Sequence, residues 1–128
     1  YVASITVEVA PNLSEVAGPV LAAKLIEKAG GLRKISMMPS GTIQLLGAEK
    51  AMFRAMKTGS KPPKHGLIFQ YPVVHASPKR LRGRAARSLA AKLAIAARAD
   101  ALSGSPIGVQ LKDKFDSEMD NIRGERGK

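Results

Sequence analysis

The longest stretch of this 128-residue chain without proline runs from residue 79 to residue 105, directly after Ser77-Pro78. That pair predicts a helix opening, with the Ser77 hydroxyl as cap and Pro78 at the first helical position. Leu81, Ala85, Leu89, Leu93 and Ala96 then recur at three- and four-residue spacing, so one narrow apolar stripe should run to about Leu102, before Ser103-Gly104. The alanines raise helix propensity and let neighbouring helices approach closely. Elsewhere proline and glycine cut the chain into short pieces. With three Phe, two Tyr and no Trp against abundant Ala and Leu, the expectation is an all-α, compact multi-helix fold with an irregular Pro/Gly-rich loop in the middle.

Residues 1 to 10 alternate loosely through Val2, Ile5, Val7 and Val9, which fits a strand or the last turns of a helix. A helix follows Pro11, capped by Asn12 or Ser14, and ends at Gly30-Gly31, with a kink or a new start at Pro19. A short helix covers residues 32 to 36, and Ser40 or Thr42 caps the next. Leu45, Leu46, Met52, Phe53 and Met56 continue the helical pattern to residue 56, interrupted at Gly47. Met52 and Met56 fall on the apolar side and are expected in the core, whereas Met37-Met38, beside a turn, suit a partner contact. Residues 58 to 78 hold four of the eight prolines, which leaves room only for short extended or single-turn segments. Ser105-Pro106 opens a last helix whose buried face is Ile107, Leu111, Phe115, Met119 and Ile122, followed by a frayed end at 123 to 128.

Charge is concentrated as sharply as proline. Residues 41 to 100 hold twelve Lys and Arg against only Glu49 and Asp100, whereas the flanking segments are close to neutral. Lys50, Arg54 and Lys57 share one helix face, and Arg80, Arg84 and Arg87 share another. Such like-charged stripes repel themselves unless an anion lies nearby, and a phosphate backbone is the natural candidate. Arg82 joins the second group in the first turns of its helix, where the unpaired amides already form a positive end. Between the stripes, the proline-stiffened loop presents Lys61, Lys64 and His65. The scarcity of aromatics argues for phosphate and groove contacts over stacked bases.

Other chemistry lacks its residues. Cysteine is absent, which removes disulfides, thiolate metal sites and cysteine nucleophiles. His65 and His75 stand ten residues apart with no acidic pair beside them, so no metal site or cofactor is expected. Glu49 has no second acid near it in sequence for acid–base work, no glycine pattern meets phosphate-loop spacing, and no catalytic residue is assigned. No apolar run approaches the roughly 20 residues needed to cross a bilayer, so no membrane contact is expected.

Pro11-Asn12-Leu13, Gly18-Pro19, Ala29-Gly30-Gly31-Leu32, Gly47-Ala48-Glu49-Lys50, Phe53-Arg54, the loop from Lys61-Pro62-Pro63-Lys64-His65-Gly66 to Gln70, and Arg84-Ala85-Ala86-Arg87 through Ala97-Arg98-Ala99-Asp100 together resemble the Nop domain, in the form of the archaeal Nop5 family and its relatives Nop56, Nop58 and Prp31. The resemblance implies a helical scaffold, spanning residues 11 to 122, that recognises a kink-turn guide RNA already carrying an L7Ae-type protein in the box C/D particle. Gly47, Ala48, Glu49 and Lys50 match the signature at the composite RNA–protein contact, Lys64 and His65 the loop approaching the RNA stem, and Arg84 and Arg87 the facing helix. It further implies that this chain is no enzyme: a fibrillarin partner would transfer methyl groups to ribose 2′-hydroxyls. Residues 1 to 10 resemble the end of a coiled coil, so fibrillarin and a second Nop5 copy would be engaged through domains absent here. The setting implied is the archaeal cytoplasm, with eukaryotic relatives nucleolar or nuclear. A splicing-type snRNP scaffold is the alternative, followed by a general basic RNA-binding protein.

Overall fold

The computed structural model describes residues 2 to 126 except 62, 64 and 65, with side chains left aside for residues 2, 3 and 123 to 126. All regular structure among the described residues is helical: α1 (Val2–Val9), α2 (Pro11–Ala17), α3 (Pro19–Ala29), α4 (Leu32–Ser36), α5 (Ser40–Leu45), α6 (Glu49–Thr58), α7 (Pro72–Ala76), α8 (Lys79–Arg98) and α9 (Gly108–Arg126). A 3₁₀ turn (Leu67–Gln70) precedes α7, and a π turn (Ala99–Ser103) ends α8. Of the two readings of this first segment, helix and strand, Val2–Val9 bears out the helical one.

α8 is the axis of the fold. It packs against α2, α4, α5, α7 and α9, so its buried face is far wider than the narrow stripe its leucines outline. Ala86, Ala90, Ala94 and Ala97 are buried alongside Leu81, Ala85, Leu89, Leu93 and Ala96, because methyl side chains let helices close in from several directions. Lys92 is buried too, its ammonium 2.8 Å from the Glu118 carboxylate of α9, which also accepts a short hydrogen bond from the Ser88 hydroxyl. These bonds hold the Glu118 carboxyl below its ordinary value, against the opposing effect of its partial burial. α9 buries the predicted face, with Phe115 and Met119 at its centre. Tyr71 packs edge-on against Phe115 and its phenol is pushed up by burial and then by the nearby Asp116 charge.

The expected caps are not those used. Asn12, Ser14, Ser40, Thr42 and Ser77 do not cap the helices they begin; the cap position of α2 is Ala10, and α5 and α8 start after Pro39 and Pro78. The Ser77 hydroxyl instead donates to the Val73 carbonyl, closing α7. α2 is capped from a distance, with the amides of Asn12 and Leu13 donating to the Asp100 carboxylate at 3.0 and 2.8 Å. The Asn12 side chain does the same for α9: its Oδ1 accepts from the backbone amides of Ile107 and Gly108, and its Nδ2 donates to the Ser105 carbonyl. α9 therefore begins at Gly108, after the expected Ser105-Pro106. A Cβ at Gly108 would lie 2.8 Å from that of Glu15, so only glycine lets the two helix starts meet.

Candidate nucleic-acid interface

The joint between α5 and α6 is built from two glycines that no side chain can replace. Gly47 has φ of 96°, and a Cβ there would stand 2.7 Å from Leu67 Cγ. Gly66 lies flat on α5, where a Cβ would fall 2.2 Å from the Leu46 carbonyl oxygen. Its amide donates to the Gln44 carbonyl at 2.8 Å, and that of Leu67 donates to the Leu46 carbonyl at 2.8 Å. The distal end of the central loop is thereby fastened to the turn that carries Gly47, Ala48, Glu49 and Lys50. Ala48 is buried, whereas Glu49 and Lys50 open α6 and are exposed. Glu49 favours the positive end of α6, and among the described residues no hydrogen bond or salt bridge engages its carboxylate.

On one side of α5 lies a polar hollow of about 420 Å³, lined by Gln44, Leu45, Pro63, Arg80, Arg84 and Arg87, with Gly41 and Gly83 leaving room at its walls. The three arginines are exposed, as their i, i+4, i+7 spacing on α8 predicts. Arg82 points elsewhere. It is half-buried, its Nε donates to the Ser77 carbonyl at 3.0 Å, and its guanidinium lies 5.4 Å from the Phe69 ring centre. Arg82 thus ties α8 to the α7 region and leaves the hollow to its three neighbours. His75 packs edge-on against the same Phe69 ring.

On the other side of α5 lies an apolar groove of about 620 Å³, with Pro39, Leu46, Met52, Phe53 and Met56 along it and Gly41 and Leu45 shared with the hollow. The expectation that Met52 and Met56 belong to the core is corrected here. Met56 is 79 % and Phe53 59 % exposed, Met52 is half-exposed, and Ala55 is the one buried residue of α6. The periodic apolar signal is real, but Gly47 and Gly59, both with positive φ, swing α6 away from the bundle and leave its apolar face outside. Lys50, Arg54 and Lys57 are exposed on the same helix, and the Lys57 ammonium sits 4.8 Å above the Phe53 ring. Met37 is likewise exposed, while Met38 packs against the core.

Lys61 is exposed in the loop; Lys64 and His65 lie outside the described residues. The groove was missed in sequence because helical periodicity reports that a face is apolar and not what covers it. Among the described residues no three His, Cys, Asp or Glu side chains converge as metal ligands.

The Nop family, described as "snoRNA binding domain, fibrillarin", matches residues 1 to 121. The chain is 48 % identical over 123 residues to an uncharacterised NOP5 family protein of Methanocaldococcus jannaschii, covering 96 % of this chain and 30 % of that one. It is 45 % identical to nucleolar protein 56 of Dictyostelium discoideum over 117 residues, 89 % of this chain and 22 % of the relative. It is 40 % identical to nucleolar protein 58 of Candida glabrata over 129 residues, 97 % and 25 % of the respective chains. The chain thus spans less than a third of the length of these relatives. Among solved structures, a crystal structure of a fibrillarin/Nop5p complex superposes with a TM-score of 0.75 at 34 % identity, covering 94 % of this chain and 44 % of that one. A match across nearly the whole chain, on a shared helical fold, places this protein in the Nop domain family.

Proposed function

We propose that this chain is the RNA- and protein-recognition module of a box C/D guide ribonucleoprotein, docking onto a kink-turn RNA together with the L7Ae-type protein bound to it. The observation that carries the reading is the two-sided α5: an arginine-lined hollow and an apolar groove meet along one short helix, sharing Gly41 and Leu45. A phosphate backbone suits the first surface and a protein face the second. Arg80, Arg84 and Arg87 take phosphates in the hollow; Lys61, Lys64 and His65 reach the stem from the loop; Lys50, Arg54 and Lys57 flank the groove. Gly47, Ala48, Glu49 and Lys50 form the turn where RNA and bound protein are met together. Arg82 supports this face by fixing the start of α8, with its remaining guanidinium donors available to a phosphate.

The chain brings no chemistry of its own to the reaction. Its place is that of a scaffold in the archaeal cytoplasm that holds guide RNA in register for a fibrillarin partner, which performs the 2′-O-methylation. Fibrillarin and a second copy of the scaffold are engaged through other parts of a longer protein, as the chain's coverage of its relatives supports.

The test is a mobility-shift titration of kink-turn RNA with and without the L7Ae-type protein at two salt concentrations. Weak, strongly salt-dependent binding to naked RNA and much tighter binding to the preformed complex are expected. Equal affinity for both, or indifference to charge reversal at Lys50 and Arg87, refutes the reading.

A further inference from the structure

Residues 1 to 40 are almost neutral in sequence, yet two of their lysines lie beside the interface. Lys24 and Lys28 stand four apart on α3, both exposed. Together with Glu27 and Leu67 they line a hollow of about 310 Å³. Leu67 is the residue whose amide is fastened to the Leu46 carbonyl and whose side chain occupies the space beside Gly47. The α3 lysines therefore adjoin the α5–α6 joint through a single leucine. Leu67, which lines their hollow, is four residues in sequence from Pro63, which lines the hollow of Arg80, Arg84 and Arg87.

The Lys24 ammonium is held in place by donating to the Gln70 side-chain oxygen at 2.9 Å, which leaves two of its three donors for another acceptor. Lys34 behaves differently. Its ammonium would lie 3.3 Å from a Cβ at Gly30, so it covers the C-terminal end of α3, where a cation serves the fold. Glu27 lowers the local positive charge, which disfavours capture of a small free anion. A polyanion already anchored at the arginine hollow meets no such obstacle, because attachment raises the effective concentration of its later phosphates.

We propose that Lys24 and Lys28 are a second phosphate-contact station for the same RNA, so that its backbone runs from the α8 arginines past Leu67 to α3. The inference rests on the RNA-binding reading above and extends its footprint to residues outside both basic stripes.

The experiment measures the salt dependence of binding to the kink-turn RNA carrying its L7Ae-type protein, for the unmodified protein, Lys24→Gln/Lys28→Gln and Arg84→Gln/Arg87→Gln. Two lost phosphate contacts should reduce the slope of log K against log salt by about 1.4 to 1.8 in the lysine variant. Glu27→Gln should tighten binding, an effect that no loss of folding imitates. A lysine variant with an unchanged slope, beside an arginine variant with a reduced one, overturns the second station and leaves the RNA reading standing. Unchanged slopes in both overturn the reading itself and the inference with it.

Discussion

Removing the Asp100 carboxylate should destabilise the whole domain although the residue lies at its edge. Its two oxygens accept from the amides of Asn12 and Leu13 at 3.0 and 2.8 Å. Both are first-turn amides with no carbonyl partner inside α2, and both residues are at most 4 % exposed. In Asp100→Ala these donors lose a charged acceptor in a place water scarcely reaches. Hydrogen bonds to a charged group contribute about 1.5 to 3 kcal/mol each, and the partial exposure of the carboxylate argues for the low end, so the pair should be worth about 3 kcal/mol. For a domain of this size that is roughly 8 to 12 °C in Tm. Urea unfolding followed by circular dichroism should show a lower midpoint with an unchanged slope. Asp100→Asn keeps one acceptor without the charge and should lose about half as much. A loss below about 0.5 kcal/mol in the alanine variant, or an asparagine variant no milder than alanine, refutes the reasoning.

Gly66→Ala should dislodge the loop, because its methyl group would be driven into the Leu46 carbonyl; faster protease cleavage between residues 59 and 66 with α8 still folded is expected, and unchanged cleavage contradicts the fastening. The Glu118 carboxyl is held below its ordinary value in the fold, so its contribution is fully present above the unfolded value of about 4.5 and is lost as pH falls through the lower folded value. Glu118→Gln should therefore narrow its stability gap from the unmodified protein as pH drops below 4.5, and a constant gap would exclude the linkage. Glu118→Ala should be more damaging at neutral pH than Lys92→Met, since it strands a buried ammonium; equal losses argue against that burial. Phe53→Ser with Met56→Ser should change unfolding free energy by less than about 0.5 kcal/mol while weakening binding to the RNA–protein complex, and global unfolding would show that α6 packs inward.

The helices themselves were legible because their signals are local. Gly18-Pro19, Gly30-Gly31 and Gly47 break the chain where sequence places the breaks, and the face from Leu111 to Ile122 is buried as its spacing predicts. The caps were not legible, since Asp100 and Asn12 act on helix starts about ninety residues away and nothing in a local pattern records that distance. The α8 stripe looks narrow in sequence because alanine carries little apolar signal, although here it marks close contact on several sides. In the candidate site, the exposure of Arg80, Arg84 and Arg87 followed from charge spacing. The inward turn of Arg82 did not, because it depends on the Ser77 carbonyl and the Phe69 ring arriving from another element.

The basic and apolar faces of the candidate interface are assembled on α5, which at six residues is too short to hold its own shape in water. Its rigidity is borrowed from two sources: packing against α8, and the backbone hydrogen bonds that Gly66 and Leu67 make to its last turn. The second source couples the two surfaces. The loop segment that reaches the arginine hollow at Pro63 also fixes the turn from which α6 and its apolar groove extend. A shift of Gly66 and Leu67 therefore alters the angle between the basic and apolar faces, and the proposed partner, RNA and protein in fixed relation, is sensitive to that angle where either component alone is not. In the proposed assembly, charge brings the polyanion to this face, and the two glycine joints decide whether the second surface is there to meet it.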